Sequence, residues 1–144
     1  MSDKKNLKLS NHLLAFRKHM DRLVVFNNEE WAVLCSHLYL KKLNKKQHFA
    51  IDGEICDDLG FVISGSLRFY YVKDGEEITG YYSPNNRFIS SYKSFIRRKA
   101  STLAIQAVHN LLQKRVTVVF ATNTFPHCSQ SLLKVKFELI TFNF

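Results

Sequence analysis

Between Arg87 and Ala107 the sequence gathers hydroxyls and cations in a pattern suited to holding an anion. Ser90, Ser91, Ser94, Ser101 and Thr102 supply O–H donors, Arg97, Arg98 and Lys99 supply positive charge, and Tyr92 adds a ring and a hydroxyl. Free backbone N–H groups at a helix start also favour negative charge, so a serine-rich turn entering a helix reads as an anion cradle. The same residues are ordinary turn formers and caps, and a tri-basic run is often a solvated loop. Both readings stay open here. Tyr81, Tyr82 and Tyr92 could stack on a ring or simply pack with their hydroxyls at a rim.

Chemistry beyond binding finds no support. No Ser-His-Asp, Cys-His or paired-carboxylate arrangement can be argued, and the carboxylates fall mostly in turns. The six histidines are scattered, with no His-x-His or His-Glu-x-x-His spacing, so neither a metal centre nor a metal-dependent jelly-roll enzyme is expected. Cys35, Cys56 and Cys128 are odd in number and far apart, which suits reduced thiols better than disulfides or zinc. An enzyme is not expected, and neither is a cofactor.

The segment needs elements on either side to hold it. Phe88 and Ile89 read as a strand end, and Leu103 to Val108 as the next strand. Further back, Asp52-Gly53 and Asp74-Gly75 are residue pairs that tight turns with positive φ select. Phe61-Val62-Ile63, Leu67 to Val72 and Ile78 to Tyr82 are short β-branched and aromatic runs between turns. Leu38, Leu40, Phe49 and Ile51 alternate with polar neighbours, with Asn44-Lys45-Lys46 as the turn between them. Two helices come first. Ser10 caps one with Leu13, Leu14, Phe16, Met20, Leu23 and Val24 roughly on one face. Asn27 or Asn28 caps the other, with Glu29 and Glu30 in its first turn and a stripe of Trp31, Leu34, Cys35 and Leu38. The fold class is mainly β with flanking helices: an antiparallel double-stranded β-helix, or jelly roll.

This arrangement resembles the sensory domain of the Crp/Fnr family of transcription regulators, the cyclic-nucleotide-binding β-roll with an RmlC-like fold. The resemblance rests on Asn28-Glu29-Glu30-Trp31, Lys46 to Glu54, Phe61-Val62-Ile63-Ser64-Gly65-Ser66-Leu67-Arg68 and Asp74-Gly75-Glu76-Glu77. Ser90 to Phe95, Ala100-Ser101 and Ile105-Gln106-Ala107 look most like divergent members from Bacteroidetes-type bacteria. It covers about Asn11 to Val108 and implies that Arg87–Ala107 is equivalent to a phosphate-binding cassette. In cyclic-AMP binders a phenylalanine-glycine-glutamate start lets the glutamate accept the ribose 2′-hydroxyl, and a later arginine pairs with the phosphate. Here Phe88 matches, Ile89 stands for the glycine and Ser90 for the glutamate; the arginine position falls near Lys99 or Ala100, with Arg97 and Arg98 slightly early. Serine is a weaker acceptor than a carboxylate, and lysine lacks the planar fork. Each lost charged hydrogen bond costs on the order of 1.5–3 kcal/mol, so tight cyclic-AMP binding is not expected.

The chain's 144 residues suit one domain, divided as a basic segment 1–10, the roll with its helices 11–108, and an atypical tail 109–144. From Met1 to Glu77 there are 12 basic and 11 acidic residues, a net of +1; from Ile78 to Phe144 there are 9 and 1, a net of +8. That imbalance keeps a second reading open, a basic nucleic-acid- or polyanion-binding module using Arg87, Lys93 and Arg97 to Lys99. A degenerate fragment without ligand is the third. The tail has a β-branched run, Val116 to Phe120, then Pro126, then alternation at Leu133, Val135, Phe137 and Leu139. It does not read as a dimer helix followed by a helix-turn-helix. Either the last strands of the roll lie there or the reading frame shifted near His109, and direct DNA binding by this chain is not expected. No apolar run is long enough to span a membrane and no signal-peptide core follows the N-terminus, so a cytoplasmic protein is the expectation. The expected partners are a small-molecule effector, cyclic nucleotide or another anion, and a second copy in a homodimer.

Overall fold

The computed structural model describes residues 12–108 and 115–122. The chain divides into two compact units, one holding the helices before Leu38 and the other spanning Tyr39–Asn123.

In the first unit, α1 covers residues 12–20 and α2 covers Asn28–Ser36. Asn27 is the N-cap: its side chain accepts from Glu30 N–H, and Glu30 reaches back to Asn27 N–H at 2.9 Å. This reciprocal box satisfies two of the N–H groups that a helix start leaves open. Phe16, Met20, Phe26 and Leu34 are buried. Trp31 lies 5.9 Å from Phe16 and 6.2 Å from Phe26 between ring centroids, with the Arg17 guanidinium 5.0 Å above its ring. Of the shared face expected of α1, Phe16 and Met20 are buried and Leu13 and Val24 are half-buried. The helix stops at Met20, so Leu23 falls beyond it in the turn, and Leu14 points to solvent.

The second unit is a jelly roll. Its strands are β1 (Leu38–Asn44), β2 (His48–Ala50), β3 (Asp58–Ser64), β4 (Ser66–Lys73), β5 (Glu76–Ser83), β6 (Phe88–Ile89), β7 (Ala104–Val108) and β8 (Arg115–Thr122). A short helix, α3 (Tyr92–Arg97), lies between β6 and β7. The strands form two four-stranded sheets, ordered β1-β8-β3-β6 and β2-β7-β4-β5. The β-branched run Val116–Phe120 lies within β8, which pairs antiparallel with β3 from Asp58↔Thr122 to Ser64↔Thr117. Ser10, His109, Pro126, Cys128 and the alternating run Leu133 to Leu139 lie outside the described residues.

Leu43, Val62, Ile89, Val116 and Val118 from the first sheet meet Phe49, Leu67, Phe69, Ile105 and Ala107 from the second in one core. Ile51, expected to share the inward face with Phe49, lies past the end of β2 and is exposed. The Asp74-Gly75 turn joins β4 to β5 with φ of 54° and 83°, the double positive-φ geometry of a tight hairpin. Among the described residues no helix is long and apolar enough to cross a membrane.

Gly60 is where the packing is tightest. A Cβ there would sit 2.7 Å from both Phe49 Cε2 and Val118 Cγ1 and 3.0 Å from Ile89 Cγ1. The two sheets close over this position only because it has no side chain. Gly60→Ala is expected to cost about 1–3 kcal/mol through overpacking, measured by denaturant unfolding. A loss below about 0.5 kcal/mol, the range of an ordinary surface substitution, would show that the core relaxes around the methyl group.

Candidate effector site

The serine-rich stretch runs from β6 through α3 to β7 beside the segment Gly53–Asp58, which leads into β3. The two are stitched together along their length. Gly53 N–H donates to Ser101 O at 2.8 Å, Ser101 N–H to Glu54 O at 2.8 Å, and Ile55 and Ala100 form an antiparallel bridge. Cys56 N–H donates to Ser94 Oγ at 2.9 Å, Ser90 Oγ donates to Asp58 O at 3.0 Å, and the Arg98 guanidinium pairs with the Asp57 carboxylate.

The hydroxyls face inward along this seam. Ser91, Ser94 and Ser101 are buried and Ser90 is half-buried. Ser94 Oγ donates to Lys99 O at 2.5 Å, and Ser101 Oγ donates to Leu103 O at 2.6 Å. Because Ser101 has thus used its proton, Ser91 Oγ, 2.6 Å away, is the donor to Ser101 Oγ. Each serine hydroxyl carries one proton, and all four protons already have internal acceptors. Thr102 is exposed on the surface instead.

The remaining positions separate by environment. Ile89 is wholly buried in the roll's core, and Phe88 packs edge-on against Phe61 with centroids 5.1 Å apart. α3 is six residues long, and the side chain of its N-cap, Ser91, caps nothing. The helix ends at Arg98, whose φ of 55° is left-handed and whose N–H returns to Ser94 O. Arg87, Tyr92, Lys93, Arg97 and Lys99 are exposed. The segment therefore presents cations outward and hydroxyls inward. Cys56, buried beside Ser90, donates its thiol to Asp58 O at 3.4 Å; Cys56 and Cys35 are free thiols. Among the described residues no group of three or more His, Cys, Asp or Glu could hold a metal ion.

Sequence reasoning missed a second polar cluster, on the outer face of the sheet β2-β7-β4-β5. Arg68 Nε and Nη2 both donate to Gln106 Oε1, at 2.9 and 2.7 Å, and the guanidinium also pairs with Glu77 and reaches Thr79. It lies 4.3 Å above the Tyr70 ring. Gln106 Nε2 donates to Lys46 O at 3.0 Å and lies 3.3 Å from His48 Nε2, which is 2.8 Å from the Tyr70 hydroxyl. The signal that could have found it is the pairing Arg68↔Gln106 with His48↔Gln106. That register places side chains from all four strands on one face. Burial pushes the Tyr70 phenol up, Glu77 and Asp52 add to this, and Arg68 opposes it.

At the entrance to β3 the Tyr39 hydroxyl donates to Asp58 Oδ1 at 3.2 Å. Burial and then the Asp58 carboxylate push Tyr39 up to about 12. Burial raises Asp58 too, with Asp57 adding to it, while Tyr39 and Lys41 pull it back down.

The fold defined by these two sheets is that of cyclic-nucleotide-binding domains. The chain is similar to a cyclic nucleotide-binding domain from Methylobacillus flagellatus, with 14% identity, a TM-score of 0.72, and coverage of 88% of this chain and 71% of that one. It is also similar to the sensor domain of the transcriptional regulator DNR from Pseudomonas aeruginosa: 15% identity, TM-score 0.65, covering 93% and 79%. A third similar structure is the regulatory subunit of a cAMP-independent protein kinase A from Trypanosoma brucei: 14% identity, TM-score 0.65, covering 86% of this chain but only 42% of that one. No protein-family model matches the sequence, and no curated protein matches it.

Two outcomes follow from the geometry. Ser94→Ala leaves the Cys56 N–H and Lys99 C=O without their partner, and a stability loss of about 1–3 kcal/mol is expected in denaturant unfolding. A neutral result would mean that water or a shifted backbone replaces both bonds. The Tyr39 phenol is expected to ionise near 12, read as the difference in tyrosinate absorbance between wild type and Tyr39→Phe. Its folded-state value is raised, so the folded chain keeps a proton that the unfolded chain releases near 10, and stability declines from about pH 10 to about 12. Asp58→Asn should lower that value only in part, because burial remains. Ionisation of Tyr39 near 10 in the wild type would contradict this.

Proposed function

We propose that this chain is the effector-sensing roll of a Crp/Fnr-type transcription regulator, and that its cassette does not hold cyclic AMP tightly. The observation that carries this reading is the β6–α3–β7 segment. Read as the cassette of a cyclic-nucleotide-binding fold, it has all four of its inner serine protons on internal acceptors. Ser90, which the resemblance sets in the position of the ribose-accepting glutamate, is turned toward Asp58 O. Arg98 is held by Asp57, while Arg87, Lys93, Arg97 and Lys99 stay on the surface. The likeness to a transcriptional regulator's sensor domain supports the regulatory role. The likeness to a cAMP-independent regulatory subunit supports separating this fold from cyclic-AMP binding. Nothing in this reading requires a reaction. Effector occupancy acts by favouring one arrangement of the segment over another, a population shift.

The test is a thermal-shift series with cyclic nucleotides and small anionic effectors on the purified chain. A specific ligand at a hundred times its Kd adds about 2.7 kcal/mol of stability. We expect cyclic AMP to leave the melting temperature unchanged at micromolar concentration and another small effector to raise it. Stabilisation by micromolar cyclic AMP would overturn the ligand part of the proposal. Failure of every compound at millimolar concentration would overturn the sensing role.

A further inference from the structure

Away from the serine-rich segment, the polar cluster on the outer face of the sheet β2-β7-β4-β5 fixes its own proton positions. Gln106 Oε1 accepts from Arg68 Nε and Nη2, and Gln106 Nε2 donates to Lys46 O. Turning the amide over would set its N–H groups against a guanidinium and its oxygen against a carbonyl, so its orientation is determined. The second N–H of Gln106 Nε2 then meets His48 Nε2, 3.3 Å away, and that ring nitrogen has to be an acceptor. The Tyr70 hydroxyl, 2.8 Å from the same nitrogen, donates to it as well. His48 is therefore neutral, with its proton on Nδ1. Gln106 and Tyr70 are only 9% and 7% exposed, so water has little access to replace either bond.

We propose that His48 is a proton-sensing site that controls the junction of β2 with β7. A proton arriving on Nε2 occupies the lone pair that both donors share. The Tyr70 hydroxyl can turn and accept from the new N–H. The Gln106 amide cannot, because Arg68 and Lys46 O hold it with an N–H facing the ring, and it is driven off. The charged and titratable groups around this nitrogen are Tyr70 and Arg68 on β4, Glu77 on β5, Lys46 before β2, and Asp52 beyond it, whose charge is felt at Tyr70. β7 offers only the neutral Gln106 there. Gln106 stands opposite His48 in the register. Beside that pair, Lys46 N–H donates to Ala107 O at 3.0 Å and Ala107 N–H donates to Gln47 O at 2.9 Å. Losing the Gln106–His48 contact removes the side-chain link across these two backbone bonds.

The test follows the full chain by NMR from about pH 8 to about pH 5, the span in which histidines change charge. No effector is present, so the result does not depend on the effector-sensing role. At the upper end, the ring nitrogen shifts of His48 should show a bare Nε2 and a protonated Nδ1, the signals being identified by their loss in His48→Gln. On acidification the Lys46 and Ala107 amides, corrected for intrinsic exchange, should lose protection by roughly two- to ten-fold, the worth of one hydrogen bond. His48→Gln keeps an acceptor oxygen but takes up no proton, and its two amides should not respond. A proton on Nε2 at about pH 8, wild-type protection that acid leaves unchanged, or an equal loss in His48→Gln would each overturn the proposal. Should His48→Gln fail to fold by circular dichroism, Gln106→Glu provides the reading. Its carboxylate accepts from the charged ring and from Arg68, so acid should no longer loosen the two amides, and a loss equal to that of the wild type would overturn the proposal.

Discussion

The serine-rich segment depends on one constraint: buried backbone N–H and C=O groups without a regular partner must find one elsewhere. Between β6 and β7 the chain makes a six-residue helix and two irregular turns, and beside it runs the segment that enters β3; together they present Cys56 N–H, Asp58 O, Lys99 O and Leu103 O to side-chain partners. Serine side chains reach all four. A net hydrogen bond is worth only about 0.5–1.5 kcal/mol, but an unpaired buried group costs about 1–3 kcal/mol. The serines are therefore as much part of the packing as Ile89 or Phe95, and their direction is set from within.

The same constraint explains what the sequence could and could not reveal. Elements whose signal is local were legible. Asp74-Gly75 selects its turn by φ alone, Asn27 or Asn28 followed by Glu29 and Glu30 marks a helix start, and Val116–Val119 is β-branched throughout. The end of α1 was not, because nothing between Met20 and Val24 breaks the apolar period. The candidate site was legible as a location and illegible as a geometry. Serine serves a ligand or its own backbone with equal propensity, and only the approach of Gly53–Asp58, some 40 residues away in sequence, decides which. Gly60 likewise looked like one of several strand glycines until Phe49, Val118 and Ile89 converged on it.

The cluster around Arg68 shows how the second sheet behaves as a unit. Arg68 on β4 holds Glu77 and Thr79 on β5 and Gln106 on β7, and Gln106 lies against His48 on β2. One guanidinium fork thus cross-links strands that backbone hydrogen bonds join only pairwise, and its planar donors suit this better than a lysine would. β7 leaves the serine-rich segment directly, and β6 enters it with Ile89 locked in the core. Both ends of the segment are anchored, and between them α3 and the residues just after it are held by side-chain bonds and the Ile55–Ala100 bridge.

That placement bears on how such a site could respond to an effector. A ligand needing one of the serine donors must first detach it from its internal acceptor, a carbonyl for Ser90, Ser94 and Ser101 and a hydroxyl for Ser91. If the detached arrangement is populated at about 1%, apparent affinity falls about a hundred-fold, close to 2.7 kcal/mol. A ligand that instead engages the outward cations meets no such penalty, but gains only the weak, salt-screened attraction of exposed charges. Selectivity in a roll of this kind follows from that choice more than from the fold, which similar structures share at 14–15% identity. An effector of the proposed kind that engages this segment would bring acceptors for the exposed cations or displace the bonds of the seam. α3, held by Ser94 and Arg98 against Cys56 and Asp57, is the element whose position it would change.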